Sequence, residues 1–138
     1  MLEVGSLHLR ADIHAQFGGN PRAGICPTKS GPVLIFSDPA SGTPFGYDQY
    51  DYLENGIYNY TGEGRGGDQV FLRGNKAIIE NRPLLLFSRV DRKSWRFIGE
   101  VALADPAFSF AIAPDQAGNS RQVIVFRFRP LAANFELL

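Results

Sequence analysis

Asn55-Gly56-Ile57-Tyr58-Asn59-Tyr60-Thr61-Gly62-Glu63-Gly64-Arg65-Gly66-Gly67-Asp68 changes character twice within a few residues. Asn-Gly is a strong signal for a tight hairpin, because the favoured two-residue turn needs positive φ at both central positions. The residues after it, 57–60, mix a β-branched side chain with two tyrosines and predict a strand. From Gly62 onward glycines dominate, so the strand must end in a loop with an unusually bare backbone. Outward from this stretch the same grammar repeats. Residues 33–36, between Pro32 and the Asp38-Pro39 turn, form a short apolar run and predict a buried strand, as do residues 84–87. Residues 95–103 place Trp95, Phe97, Gly99, Val101 and Leu103 on one face, a half-buried strand. Residues 123–128 alternate likewise, with Arg127 and Arg129 opposite Phe126 and Phe128. Helical periodicity is scarce. One short helix is predicted, capped by Asn75 and running through residues 77–81 before Pro83. Fifteen Gly and nine Pro in 138 residues fit many turns and short strands. The expected fold is mainly β (α+β), a small, strongly bent barrel or sandwich with one or two short helices. The length fits one domain over residues 1–138.

Composition narrows the function classes. Fourteen Lys plus Arg balance fourteen Asp plus Glu. A protein that holds nucleic acid mainly through phosphates is usually basic, so neutrality argues against strong non-specific binding. Bases nevertheless recur from Arg65 to Arg96, where acids are fewer. Cys26 is the one cysteine, which leaves no internal disulfide framework and no cysteine-rich zinc site. No apolar run approaches the ~20 residues needed to cross a bilayer, and the first residues lack a basic segment followed by an apolar core. A soluble, cytoplasmic protein with no membrane partner is expected.

Self-sufficient catalytic chemistry is hard to find. His8 and His14 are the two histidines, and neither sits in a ligand cluster. Cys26 carries no nucleophile signature and reads as a small core-filling residue. The run 62–67 is glycine-rich but lacks the Gly-Lys-Ser/Thr ending of a phosphate loop. Asp48, Asp51, Glu54, Glu63 and Asp68 offer carboxylates in a pattern that solvated loop acids also produce. No cofactor or metal is implied. Trp95 reads as a core residue, and Arg92-Lys93 as a turn before it, either a hairpin tip reaching into a groove or an ordinary polar turn.

The dense constellation is residues 45–76, where all five tyrosines fall between Tyr47 and Tyr60. Tyrosine faces stack on planar ligands, carboxylates accept from an exocyclic amine, and glycines let a ligand approach backbone N–H groups. Together they are the parts needed to grip one extruded nucleobase. Strand tyrosines packed on a core, followed by glycine turns, would give the same composition.

The order of these residues resembles the SRA (SET- and RING-associated) domain, in the branch found in McrA-type modification-dependent restriction endonucleases, where it is joined to an HNH nuclease. The run Tyr60-Thr61-Gly62-Glu63-Gly64, then Gly67-Asp68, then Gly74-Asn75-Lys76-Ala77-Ile78, carries the resemblance. Weaker agreement reaches Ile13-His14, Gly18-Gly19 and the two strands at 97–100 and 123–128. The resemblance implies a PUA-like bent barrel that holds duplex DNA and flips out one modified cytosine, 5-methylcytosine or hydroxymethylcytosine. It implies Tyr47 and Tyr60 as the rings that sandwich the base. Asp51 would accept from the cytosine amine, with Asp48 second, since counting from the two tyrosines gives registers one residue apart. Thr61, Gly62 and Glu63 would complete the pocket, and Gly64, Arg65, Gly67, Asp68, Arg73 and Lys76 would meet the DNA backbone or groove. Glu63 stands where animal-type members carry serine, so it would accept from a base or hold the loop through a basic partner. Stacking at about 1–3 kcal/mol per base lets a neutral protein bind DNA without a large positive field. A methyl recess adds only about 1–3 kcal/mol of discrimination. The expected function is a non-catalytic DNA reader, the recognition domain of a restriction enzyme. A PUA-like RNA-binding or protein-interaction module without a base pocket is the alternative, and a nucleobase or sugar enzyme using Glu63 and Asp68 is a third reading.

Overall fold

The structure, a computed structural model, describes residues 2–39 and 50–138. In chain order the elements are β1 (Leu7–Leu9), α1 (Arg10–Phe17), β2 (Ile25–Pro27), β3 (Val33–Ser37), β4 (Leu53–Glu54), β5 (Ile57–Thr61), α2 (Arg73–Ile78), β6 (Leu84–Arg89), β7 (Ser94–Pro114), β8 (Ser120–Ala133) and a closing 3-10 turn, Phe135–Leu137. The strands form one sheet in the order β2-β3-β6-β7-β8-β5-β4, with β1 added to β7. Among the described residues only β3 and β6 pair in parallel. The mainly-β expectation holds. The sheet is bent but open, since no pairing among the described residues joins β2 to β4.

Asn55 and Gly56 both take positive φ, 52° and 77°, and close the β4–β5 hairpin that the sequence announces. β3 and β6 are apolar on both faces because both faces are covered. Val33, Ile35, Leu84 and Leu86 join one core with Tyr58, Tyr60, Phe126 and Phe128. Leu34, Phe36, Leu85 and Phe87 join a second core with Ile13, Cys26, Trp95 and Phe97. Two cores on opposite faces of the same strands explain the continuous apolar runs at 33–36 and 84–87.

Strands β7 and β8 run far beyond the predicted 95–103 and 123–128. Two register shifts, at Glu100/Val101 and Leu103/Phe108, let the long β7–β8 pair bend. At Gly99, with φ 130°, a Cβ would overlap the Ala132 carbonyl and Ala133, so the strands approach too closely there for any side chain. Helix α2 starts earlier than predicted, with Leu72 at its N-cap. Asn75 does not cap it. Asn75 is buried inside the helix and spends its amide on the preceding loop, accepting from Glu63 N and donating to the carbonyls of Glu63 and Val70. Helix α1 was not expected, because Ile13 is its one buried residue and so it has almost no apolar periodicity to read. Among the described residues no helix is long and apolar enough to cross a membrane.

Candidate functional site

β5 leads into the site. It pairs with β8, placing Tyr60 opposite Phe126 and Thr61 opposite Val125. Past Thr61 the chain leaves the sheet and loops back to α2, and this loop forms one wall of a cleft of about 870 Å³. Arg10, Arg22, Gly24, Phe36 and Trp95 stand on the other side. Of the residues singled out from sequence, Asp51, Tyr60, Thr61, Gly62, Glu63, Gly64, Arg65, Asp68 and Arg73 all line this cleft. Gly67 and Lys76 do not. Gly67 is turned towards the β7–β8 hairpin, and Lys76 lies exposed on α2. Tyr47 and Asp48 lie outside the described residues.

Tyr60 belongs to the core as well as to the cleft. It is 6% exposed, its ring sits 6.0 Å from that of Phe128, and its hydroxyl donates to the Phe36 carbonyl at 3.0 Å. Tyr58, on the same face, is purely structural. Its hydroxyl meets Ser37 Oγ, and burial pushes its pKa up to about 12. Asp51 is buried beside the end of β5, where its Oδ1 accepts from the Thr61 amide at 2.6 Å. A carboxylate offers about four acceptor positions, so this bond leaves the group chemically able to receive a ligand amine. Thr61 is 3% exposed, and its hydroxyl has no hydrogen-bond partner among the described residues. A buried polar atom left alone costs about 1–3 kcal/mol.

Glu63 holds the loop, through backbone rather than a basic partner. Its Oε1 accepts from Gly74 N at 2.8 Å, at the start of α2. Burial pushes its pKa above the ordinary value of 4.5, against the pull of the Gly74 hydrogen bond and nearby Arg73. Because the folded chain binds this proton more tightly than the unfolded one, the folded state loses stability as pH rises from about 4.5 through the raised value. Glu63→Gln, which keeps a carbonyl oxygen for Gly74, should flatten that part of the pH–stability curve in thermal melts. An unchanged curve would mean the carboxyl is solvated.

Sequence reading missed the polar residues that hold the loop from behind. Gln69 is buried, donates to the Gly62 carbonyl at 2.6 Å and accepts from Ile124 N at 2.9 Å. Asp68, which the sequence did single out, joins them by accepting from Gln122 N at 2.7 Å. Arg10 lies 3.6 Å over the Phe36 ring and donates to the Ala23 carbonyl at 3.0 Å, fixing the far wall. Its Nε donates to His14, while His8 meets Ser6 Oγ. No residue type at these positions differs from what a solvated loop carries, so only the three-dimensional pairing reveals them.

The cleft is electrostatically mixed. Arg22, Arg65 and Arg73 stand along it, and Arg89 is paired with Asp38 at 2.8 Å. Of its carboxylates, Asp51 and Asp68 accept backbone amides, and burial of Glu63 favours its neutral form. It can therefore accept hydrogen bonds from a ligand edge within and attract an anion at its rim.

No curated protein matches the chain. Among solved structures, the sulfur-binding and SRA domains of ScoMcrA complexed with phosphorothioated DNA match at 20% identity and TM-score 0.73, over 95% of this chain and 40% of that one. The SRA domain of SUVH5 in complex with hemimethylated CG DNA matches at 20% identity and TM-score 0.65, over 96% and 91%. The modification-dependent TagI restriction endonuclease matches at 18% identity and TM-score 0.62, over 98% and 52%. This chain thus spans well under half the length of the ScoMcrA chain and about half that of TagI. The family model described as the ScoMcrA-like SRA domain matches residues 4–137, and the chain belongs to that family.

Proposed function

We propose that this chain is the DNA-reading module of a modification-dependent restriction system, and that it holds one modified cytosine, 5-methylated or 5-hydroxymethylated, turned out of the duplex into the cleft. One observation carries this reading. Asp51, Tyr60 and Thr61 line one cleft, whose wall is a glycine-rich backbone. These groups match what an extruded cytosine needs: an acceptor for its amine, an aromatic neighbour, and bare backbone that can approach it closely. Tyr47 supplies the second ring in this reading, and Asp48 is the second choice for the amine. Arg65 and Arg73 at the rim would meet phosphates. The solved neighbours bound to phosphorothioated or hemimethylated DNA make modified DNA the class of ligand to test.

The module itself is not an enzyme in this account. Glu63 and Asp68, the carboxylates that a nucleobase or sugar enzyme would use, have a structural role in this reading, each holding the loop to a neighbouring element through a backbone amide. A nuclease, of the HNH type in the McrA branch, would lie in another part of a cytoplasmic parent protein. The test is a gel-shift series at fixed salt with otherwise identical duplexes: unmodified, 5-methylated, 5-hydroxymethylated and phosphorothioated. Tighter binding to a cytosine-modified duplex is expected. Equal affinity for all four would overturn the proposal, and preference for the phosphorothioated duplex alone would replace base reading by backbone reading.

A further inference from the structure

The loop at residues 62–67 is built almost entirely from outside itself. Its carbonyls accept from four different places: Gly62 from Gln69, Glu63 from Asn75, Arg65 from the amide of Gln116, and Gly64 and Gly67 from Arg121. Arg121 is the unusual member. It starts on β8, 54 positions or more from the residues it holds, and is 4% exposed. Its Nη1 donates to Gly64 O at 2.7 Å and to Gly67 O at 2.9 Å, so one nitrogen pins both shoulders of the loop. Gly64 and Gly67 both take positive φ, 126° and 69°, conformations open to glycine, whose backbone loses the most freedom when it is fixed. Asp115, at the other side of the same hairpin, accepts from Gly67 N at 3.3 Å and from Ala117 and Asn119. The tip of the β7–β8 hairpin is thereby folded against the back of the cleft wall.

We infer that Arg121 is a positioning residue for base reading: the hairpin tip, acting through Arg121 and seconded by Asp115, sets the curvature of the loop so that Thr61 to Gly64 face the ligand. The inference rests on the proposed function. A buried guanidinium that reaches from another element to two carbonyls of one loop fixes their separation, and charge-assisted hydrogen bonds are the stronger kind. Binding sites hold their ligand-facing groups within narrow geometric limits by such supporting contacts. Arg121 itself is not among the residues lining the cleft, so it acts through the loop.

The test compares Arg121→Met, which keeps the length of the side chain without its donors, with Arg121→Lys and Asp115→Asn. Hydrogen exchange of the amides at 62–67 is read in the free protein, and the ratio of affinities for modified over unmodified duplex is read by gel shift. Arg121→Met, which removes both of these hydrogen bonds to the loop, is expected to speed loop exchange and to cut the affinity ratio, each by at least about tenfold. Core strands β3 and β6 should stay protected. Arg121→Lys should recover part of both effects, because it retains a charged donor. A ratio and an exchange rate within twofold of the parent would overturn the inference, as would equal affinity losses on both duplexes. If Arg121→Met does not fold, an unchanged ratio in both other variants overturns it equally. If the parent itself shows no preference while the loop still loosens in Arg121→Met, the base-reading assignment has failed and the brace stands as structure alone.

Discussion

Asp51→Ala is expected to lower affinity for the modified duplex by about ten- to a hundredfold, the size of a lost charge-assisted hydrogen bond whose partner is left unpaired. The same change should cost stability, because Asp51 Oδ1 accepts the Thr61 amide at 2.6 Å in a buried setting. Removing that acceptor leaves a buried N–H unsatisfied, at about 1–3 kcal/mol. Asp51→Asn separates the two roles. Its side-chain oxygen can still take the Thr61 amide, while its NH2 would point a donor at the cytosine amine. Thermal melting near that of the parent, with the preference for modified cytosine lost, is the expected pair of results. Retained preference in Asp51→Asn would make Asp51 a structural residue. Loss of preference in Asp48→Ala instead would move the amine contact to Asp48.

Tyr60→Ala should be the most destabilising of these changes, at about 3–5 kcal/mol, the usual cost of deleting a large buried aromatic side chain. Tyr60 packs with Phe128 and fills space shared with Val33, Ile35 and Phe126. Its hydroxyl also ties β5 to β3 through the Phe36 carbonyl. Binding measurements on this variant are therefore meaningful only at a temperature where circular dichroism shows it folded. There, affinity for the modified duplex should fall further than affinity for the unmodified one, since the stacking contact of about 1–3 kcal/mol goes with the ring. Equal falls on both duplexes would make the ring structural only. Tyr60→Phe keeps the ring and leaves the Phe36 carbonyl short of a donor. It should melt below the parent yet keep most of the preference.

Which parts of this molecule could be read in advance follows from the range of the interactions involved. The Asn55-Gly56 hairpin and the buried strands at 33–36 and 84–87 were legible because turn chemistry and apolar runs are local properties. The long β7–β8 pair was legible only in pieces, since its bends depend on register shifts against a partner strand. Helix α1 offers one buried side chain and no side-chain cap at its N-terminus. At the site, the order of Tyr60, Thr61, Gly62 and Glu63 marked a loop that does line the cleft. The sequence numbering placed Asp51 near Tyr60, and the fold joins it to the next residue, Thr61. Gln69, Asn75, Asp115 and Arg121 were illegible as site residues. Each earns its place through a partner on another element, and a lone polar residue carries no mark of that partner.

Turning a base out of the stack can be watched directly. A fluorescent analogue such as 2-aminopurine, placed next to the modified cytosine, is quenched by stacking in the intact duplex and brightens when its neighbour leaves the helix. Saturating this duplex with the chain should raise emission several-fold, an unmodified duplex should respond weakly, and Asp51→Asn should remove the difference. Full occupancy of the modified duplex, verified by gel shift, with no change in emission would contradict the account.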